Sequence, residues 1–148
     1  MYTKEEQAIR LVTKAFEGQK RLKDNINTSV HSITVGFMLK NINASSDAVI
    51  GGLLHDIIED TQYDYNYIEN NYGKYIADLV SAVSENQAIS NWKERKIEFL
   101  NRIKDNNEDV ILIELADKFH NLVSDYEVWQ KEGPEGLKTP VASYEDNK

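Results

Sequence analysis

The chain contains no cysteine among its 148 residues. Disulfides, thiolate nucleophiles and thiolate-bound metals are therefore excluded, and a cytoplasmic setting is compatible with that composition. Positive charge is also scarce: 17 Lys and Arg stand against 25 Asp and Glu, a formal charge of -8. A nucleic-acid partner is not favoured, because phosphate-backbone binding relies on a basic surface. The opening MYTKEEQAIR has no apolar run of the kind that marks a signal peptide or membrane span. There is no internal repeat, low-complexity tract or interdomain linker. What remains, 41% hydrophobic and 28% charged, suits one globular domain with a substantial core. A small anionic substrate stays open if a metal ion and a few cations invert the field locally.

Apolar spacing predicts about seven helices and no strand of consequence, an all-α fold. Thr3 caps the first, from Lys4 to about Gly18, with Glu6 three residues on. The polar segment GQKRLKDNINTS reads as a loop and gathers Lys20, Arg21 and Lys23. Val30 to Lys40 forms the second helix, with His31 in its first turn. Ser45 or Ser46 caps a third that runs through Gly51 and Gly52. Those glycines cost helix propensity, about 1 kcal/mol each in an exposed interior, and imply close approach of a neighbouring helix. Asp64 caps a short helix, Lys74 to Ser84 forms a core helix, and Asn91-x-x-Glu94 starts another. DVILIELADKFHNLVSDYEVW is the most apolar helix, stopped at Gly133-Pro134. The expected domain covers 1–148, with its core at about 4–130 and an irregular or mobile tail over 131–148.

The third helix leads into His55-Asp56-Ile57-Ile58-Glu59-Asp60. Four ionisable groups in six residues make a poor hydrophobic interior, since unpaired buried charges cost several kcal/mol or take up protons. A divalent cation removes that problem. His31, His55, Asp56 and Asp117 offer two imidazoles and two carboxylates from three helices. Such donors suit manganese, iron, zinc, cobalt or nickel; room for water and substrate beside four protein ligands favours an octahedral ion such as Mn²⁺ over tetrahedral zinc. Glu59 and Asp60, one turn beyond the pair, are placed to orient a water, accept its proton or protonate a leaving group. His120 is expected to pack or hydrogen bond rather than act as a fifth ligand. The structural alternative is a surface Glu59 and an Asp60 that caps the loop through Thr61.

An isolated His, an adjacent His-Asp pair and a distant Asp resemble the signature of the HD phosphohydrolase superfamily. LLHDIIEDT, followed by YGKYIADLVSAVS, resembles the hydrolase domain of the Rel/Spo stringent-response enzymes. The small stand-alone hydrolases related to them are similar in size and layout. Trp92-Lys93-Glu94-Arg95-Lys96 and the run Glu114-Leu115-Ala116-Asp117-Lys118-Phe119-His120-Asn121 continue the pattern, and Gly18, Gln19, Arg21 and His31 match its N-terminal part.

The resemblance spans about residues 10 to 130 and implies an HD-domain helical bundle. It implies Mn²⁺ held by His31, His55, Asp56 and Asp117, with Glu59 and Asp60 handling water and protons. Arg21 would pack on a guanine base, and Asn121 would line the ribose and phosphate pocket. Lys23, Lys93, Arg95 and Lys96 are candidates for a positive lining. The implied reaction is hydrolysis of (p)ppGpp at its 3'-diphosphate to GDP or GTP and pyrophosphate; the alternatives are another phosphorylated nucleotide or a non-catalytic binding module. Departures from the pattern fall at Leu22, Thr28-Ser29 and Ser32, at Glu114, where the pattern has Lys, and after Lys138, where the small hydrolases' C-terminal helix has no counterpart. Glu114 would weaken polyphosphate binding if it faces the pocket and be harmless if it faces solvent.

Overall fold

The computed structural model describes residues 1–22 and 24–137, so Lys23 and residues 138–148 of the expected tail lie outside the described residues. The helices are α1 (Lys4–Ala15), α2 (Thr28–Asn41), α3 (Ser46–Leu54), α4 (Ile57–Asp60), α5 (Tyr65–Tyr72), α6 (Lys74–Val83), α7 (Trp92–Lys104) and α8 (Glu108–Glu132). A 3-10 turn, Pro134–Gly136, follows α8. No strand occurs among the described residues, which carry one isolated bridge between Lys20 and Asn27. The chain is all-α.

Local chemistry sets the helix starts. Side-chain oxygens of Thr3, Ser45, Asp64 and Asn91 accept from backbone N–H groups of Glu6, Ala48, Tyr67 and Glu94, satisfying donors that no helical carbonyl reaches. Asn27 and Asn107 do the same for α2 and α8. Gly133, at φ +69, closes α8 in a conformation that L side chains rarely adopt.

The core forms where α3 packs against α1, α2, α6 and α8. Val35, Leu39, Leu54, Ile57, Leu79 and Ile113 are fully buried there. Close approach at the paired glycines is present: a Cβ on Gly52 would run into Leu39, and one on Gly51 would stand 2.8 Å from Ile113 Cδ1. Tight packing thus brings α2 and α8 alongside the end of α3. Helical spacing did not separate inward from outward apolar positions: Val30 and Phe37 of α2, and Trp92, Ile97 and Leu100 of α7, are exposed. No helix among the described residues is long and apolar enough to cross a membrane.

Candidate metal centre

The third helix ends at Leu54, where the acidic run begins. His55 and Asp56 occupy the junction between α3 and α4, and Asp56 makes no side-chain cap bond to α4. Its carboxylate is left to face His31 from α2 and Asp117 from α8. Donor atoms of His31, His55 and Asp117 lie within 4.8 Å of one another, and all three residues are buried. Asp56 stands just outside that trio, its Oδ2 3.1 Å from His55 Nε2 and 3.6 Å from His31 Nε2. His31 Nε2 is 3.2 Å from His55 Nε2 and 3.0 Å from Asp117 Oδ1.

These donors fit a divalent ion. Neighbouring ligands around an octahedral ion with bonds of about 2.1 Å stand roughly 3.0 Å apart, close to the observed separations. The outer nitrogens support the same use. His55 Nδ1 lies 2.8 Å from the Gly52 carbonyl, so in the neutral ring Nδ1 carries the proton and Nε2 is the nitrogen left to bind an ion. His31 Nδ1 is 2.6 Å from His120 Nδ1, which makes His120 a support for a ligand, the hydrogen-bonding part expected of it. Asp117 is bracketed: Asn121 Nδ2 donates to Oδ1 at 2.6 Å, and Lys118 Nζ donates to Oδ2 at 2.7 Å.

Electrostatics describe one mutually stabilised cluster. Burial alone would raise the Asp117 carboxyl, but its bonds to His31 and His55 outweigh that and hold it well below the carboxylate range. Burial likewise opposes charge on Asp56, and His55 carries it downward. The His55 ring is disfavoured as a cation by burial, yet Asp56 and Asp117 raise it well above ordinary histidine. The carboxylates therefore stay charged and demand a positive partner.

The cluster lies on the wall of a cleft of about 560 Å³ lined by Lys20, Arg21, Glu59, Asp60 and Lys118 among others. Glu59 is anchored, accepting from the Glu85 backbone N–H at 2.6 Å. Asp60 is exposed, and no side-chain hydrogen bond holds it among the described residues. Asp60 is exposed as a residue but its carboxyl lines the cleft, and loss of solvent around it and around Glu59 is the main reason that both carboxyls sit above their usual range. Arg21 reaches across from its loop, donating to Asn121 Oδ1 at 2.6 Å and to Ser124 Oγ at 3.3 Å.

Other expected cations are placed elsewhere. Arg95 and Lys96 both bond Glu85, Lys93 lies outside the cleft lining, and Lys23 is outside the described residues. Lys20 and Lys118 line the cleft instead, and neither stood among the expected substrate contacts. Lys118 was detectable as the neighbour of Asp117, and Lys20 as a member of the GQKR loop. Glu114 answers neither alternative weighed for it: it is buried, outside the cleft lining, and 3.0 Å from Lys118 Nζ.

A family model described as an HD domain matches residues 8–134. The bifunctional (p)ppGpp synthase/hydrolase SpoT of Escherichia coli K12 is 35% identical over 121 residues, covering 78% of this chain and 17% of SpoT. A probable chloroplastic GTP diphosphokinase of Oryza sativa subsp. japonica is 35% identical over 111 residues, covering 74% of this chain and 14% of that protein. The chain thus spans less than a fifth of the length of these curated relatives. Among solved structures, a metazoan ortholog of SpoT, described as hydrolysing ppGpp, matches with TM-score 0.76 over 93% of this chain and 87% of its own. At 23% identity that likeness is one of fold. The protein lmo0812 of Listeria monocytogenes EGD-e matches with TM-score 0.65 and 33% identity, over 70% of this chain and 67% of that one.

Proposed function

Because the chain belongs to the HD-domain family, we propose that it is a metal-dependent phosphohydrolase that cleaves guanosine 3',5'-bis(diphosphate) at its 3'-diphosphate, releasing GDP and pyrophosphate, and pppGpp likewise to GTP. The observation that carries this reading is the convergence of His31, His55, Asp56 and Asp117 on the wall of a cleft that also presents Lys20, Arg21 and Lys118. A volume near 560 Å³ suits a nucleotide-sized ligand. Similarity to SpoT, named a (p)ppGpp synthase/hydrolase, supports the choice of nucleotide. The reading treats residues 1–148 as one cytoplasmic hydrolase domain, which the cysteine-free composition suits.

His31, His55, Asp56 and Asp117 would hold the ion, Mn²⁺ in this reading because mixed N and O donors leave positions free only at higher coordination. When bound, such an ion lowers the pKa of a coordinated water and polarises a phosphoryl oxygen. Asp60, the carboxylate without a bond among the described residues, is the group to accept the water's proton. Glu59, fixed on the Glu85 N–H, orients that water. The ribose oxygen freed by cleavage takes up a proton, so water is consumed and charge balances. Arg21, steadied by Asn121 and Ser124, offers its guanidinium plane to the base. Lys20 and Lys118 face the phosphates.

The test is a panel of phosphorylated nucleotides incubated with Mn²⁺ or with chelator. Metal-dependent release of pyrophosphate from ppGpp supports the proposal. Release only from other nucleotides refutes its substrate, and no release from any refutes the reaction.

A further inference from the structure

The Glu59 carboxylate is held by a loop rather than by its own helix. Its Oε1 accepts from the Glu85 backbone N–H at 2.6 Å, and Gln87 Nε2 stands 3.4 Å from its Oε2. Glu85 and Gln87 belong to the segment 84–91 that joins α6 to α7. Within it the Ile89 N–H donates to the Asn86 carbonyl at 3.0 Å, and the Ala88 N–H to Asn86 Oδ1 at 3.1 Å. Those two bonds wind the middle of the loop but leave Glu85 outside the turn. The direction of the Glu85 N–H must be fixed from elsewhere, because a connecting segment has no helical ladder to fix it.

Helix α7 does the fixing. Arg95 Nε donates to Glu85 Oε2 at 3.0 Å and its Nη1 to the Ile89 carbonyl at 2.9 Å, so one guanidinium ties both sides of the turn. Lys96 bonds the other Glu85 oxygen. Further along the helix, Arg102 donates to the carbonyls of Ser81, Ala82 and Ser84, where α6 ends. The side chains of Arg95 and Glu85 are only 19% and 15% exposed, which sets their pair apart from an ordinary surface ion pair. Burial opposes charge on Glu85, yet its bonds from Lys96 and Arg95 outweigh that and hold the carboxyl below ordinary glutamate.

We propose that Glu85 and Arg95 are positioning residues for the hydrolysis: their ion pair sets the loop whose backbone N–H holds Glu59 toward the attacking water. Their role rests on the one given to Glu59 above. It gives Arg95 a different duty from that of a phosphate contact. Glu59 and Glu85 line the cleft, whereas Arg95 stands outside its lining and is engaged by a carboxylate and a carbonyl. A guanidinium that turned to a substrate phosphate would give up those bonds and release the loop. The donor to Glu59 is a backbone N–H, so replacing the Glu85 side chain loosens the loop without deleting the donor.

The experiment joins steady-state kinetics on ppGpp with amide hydrogen exchange, both on the full chain. Glu85→Ala should lower kcat by up to about 100-fold and leave KM within about twofold. Arg95→Gln should do the same, and the double variant should be no worse than either single one, because all three break one connection. A phosphate contact at Arg95 predicts instead that KM rises in Arg95→Gln and falls in Glu85→Ala, where two cations are freed. That pattern overturns the proposal, as does an unchanged kcat in either variant. Hydrogen exchange reads the loop without turnover. The Glu85 N–H should be protected in the wild type and exchange at least about tenfold faster in Arg95→Gln, while the amides of α3 keep their rates. An unprotected Glu85 N–H in the wild type, or equal exchange in the variant, overturns the clamp even where ppGpp is hydrolysed. A wild type inert toward every nucleotide counts against the function proposed above, and the exchange rates then decide the clamp by themselves.

Discussion

Asn121 has the widest reach of any single side chain at the site. Its amide donates to Asp117 and its oxygen accepts from Arg21, so one residue ties the candidate metal centre to the loop that carries Arg21. Asn121→Ala should lower metal affinity or turnover by about 10- to 100-fold, the usual cost of losing a support to a metal ligand. Calorimetric Mn²⁺ titration beside kcat and KM measures both effects. A second prediction concerns pH. Burial raises Asp60 and Glu59 above the ordinary carboxylate range, so each binds its proton more tightly than a free side chain. If Asp60 acts as the base, kcat/KM should fall with acidification at a pH above that of an ordinary Asp, and Asp60→Asn should remove that limb together with most activity. An unchanged profile in Asp60→Asn would pass the role to Glu59.

At this scale the sequence was most informative about which ionisable groups gather. His31, His55, Asp56 and Asp117 lie together in the structure, and they stood out because ionisable groups on otherwise apolar helices need a reason to be there. Substrate cations were harder to read. Lys93, Arg95 and Lys96 form a basic cluster in the sequence, but Glu85 draws the last two together from outside the motif. Glu114 was unreadable for a similar reason: its partner Lys118 is one turn away, and only the fold shows the pair half sealed beside Asp117.

Among the elements, α3 and α8 carry the arrangement. Four helix starts were legible from Thr3, the Ser45-Ser46 pair (of which Ser45 is the cap), Asp64 and Asn91, because a short polar side chain before an apolar periodic run has one evident use. The break between α3 and α4 was not legible, since nothing local forbids a continuous helix through Leu54 and Ile57. Nor was the exposure of Leu115, Phe119 and Leu122 on α8: periodicity marks a residue as apolar but not which side of the helix the core occupies. Gly52→Ala should cost about 1–3 kcal/mol, because the added methyl meets the end of the Leu39 side chain, which must repack in a filled core. Asn107→Ala should cost about 1 kcal/mol by uncapping α8. Urea denaturation measures both.

For the molecule as a whole, folding and metal binding are coupled. His31, the His55-Asp56 pair and Asp117 come from three separate parts of the chain, so the complete set exists only in the folded chain and an ion bound there adds its binding energy to stability. At 100-fold excess over Kd that is about 2.7 kcal/mol, or a rise of roughly 5–10 °C in Tm for a chain of this size. Coupling also has a pH sign. His55 is raised well above ordinary histidine by Asp56 and Asp117, and its proton must leave before Nε2 can bind an ion. Metal affinity should therefore increase with pH until that ring is neutral and then level off. Thermal melts with Mn²⁺ and with chelator across a pH series measure both effects.

The claim on which the rest depends is that His31, His55, Asp56 and Asp117 form a metal centre. Titration of the metal-stripped protein with Mn²⁺, followed by the loss of the free-ion electron paramagnetic resonance signal, tests it most directly. The account predicts one tightly bound ion per chain, lost in Asp117→Asn and in His55→Gln while both variants keep their helical circular dichroism. Absence of binding to the folded protein, or equal binding by both variants, would contradict it.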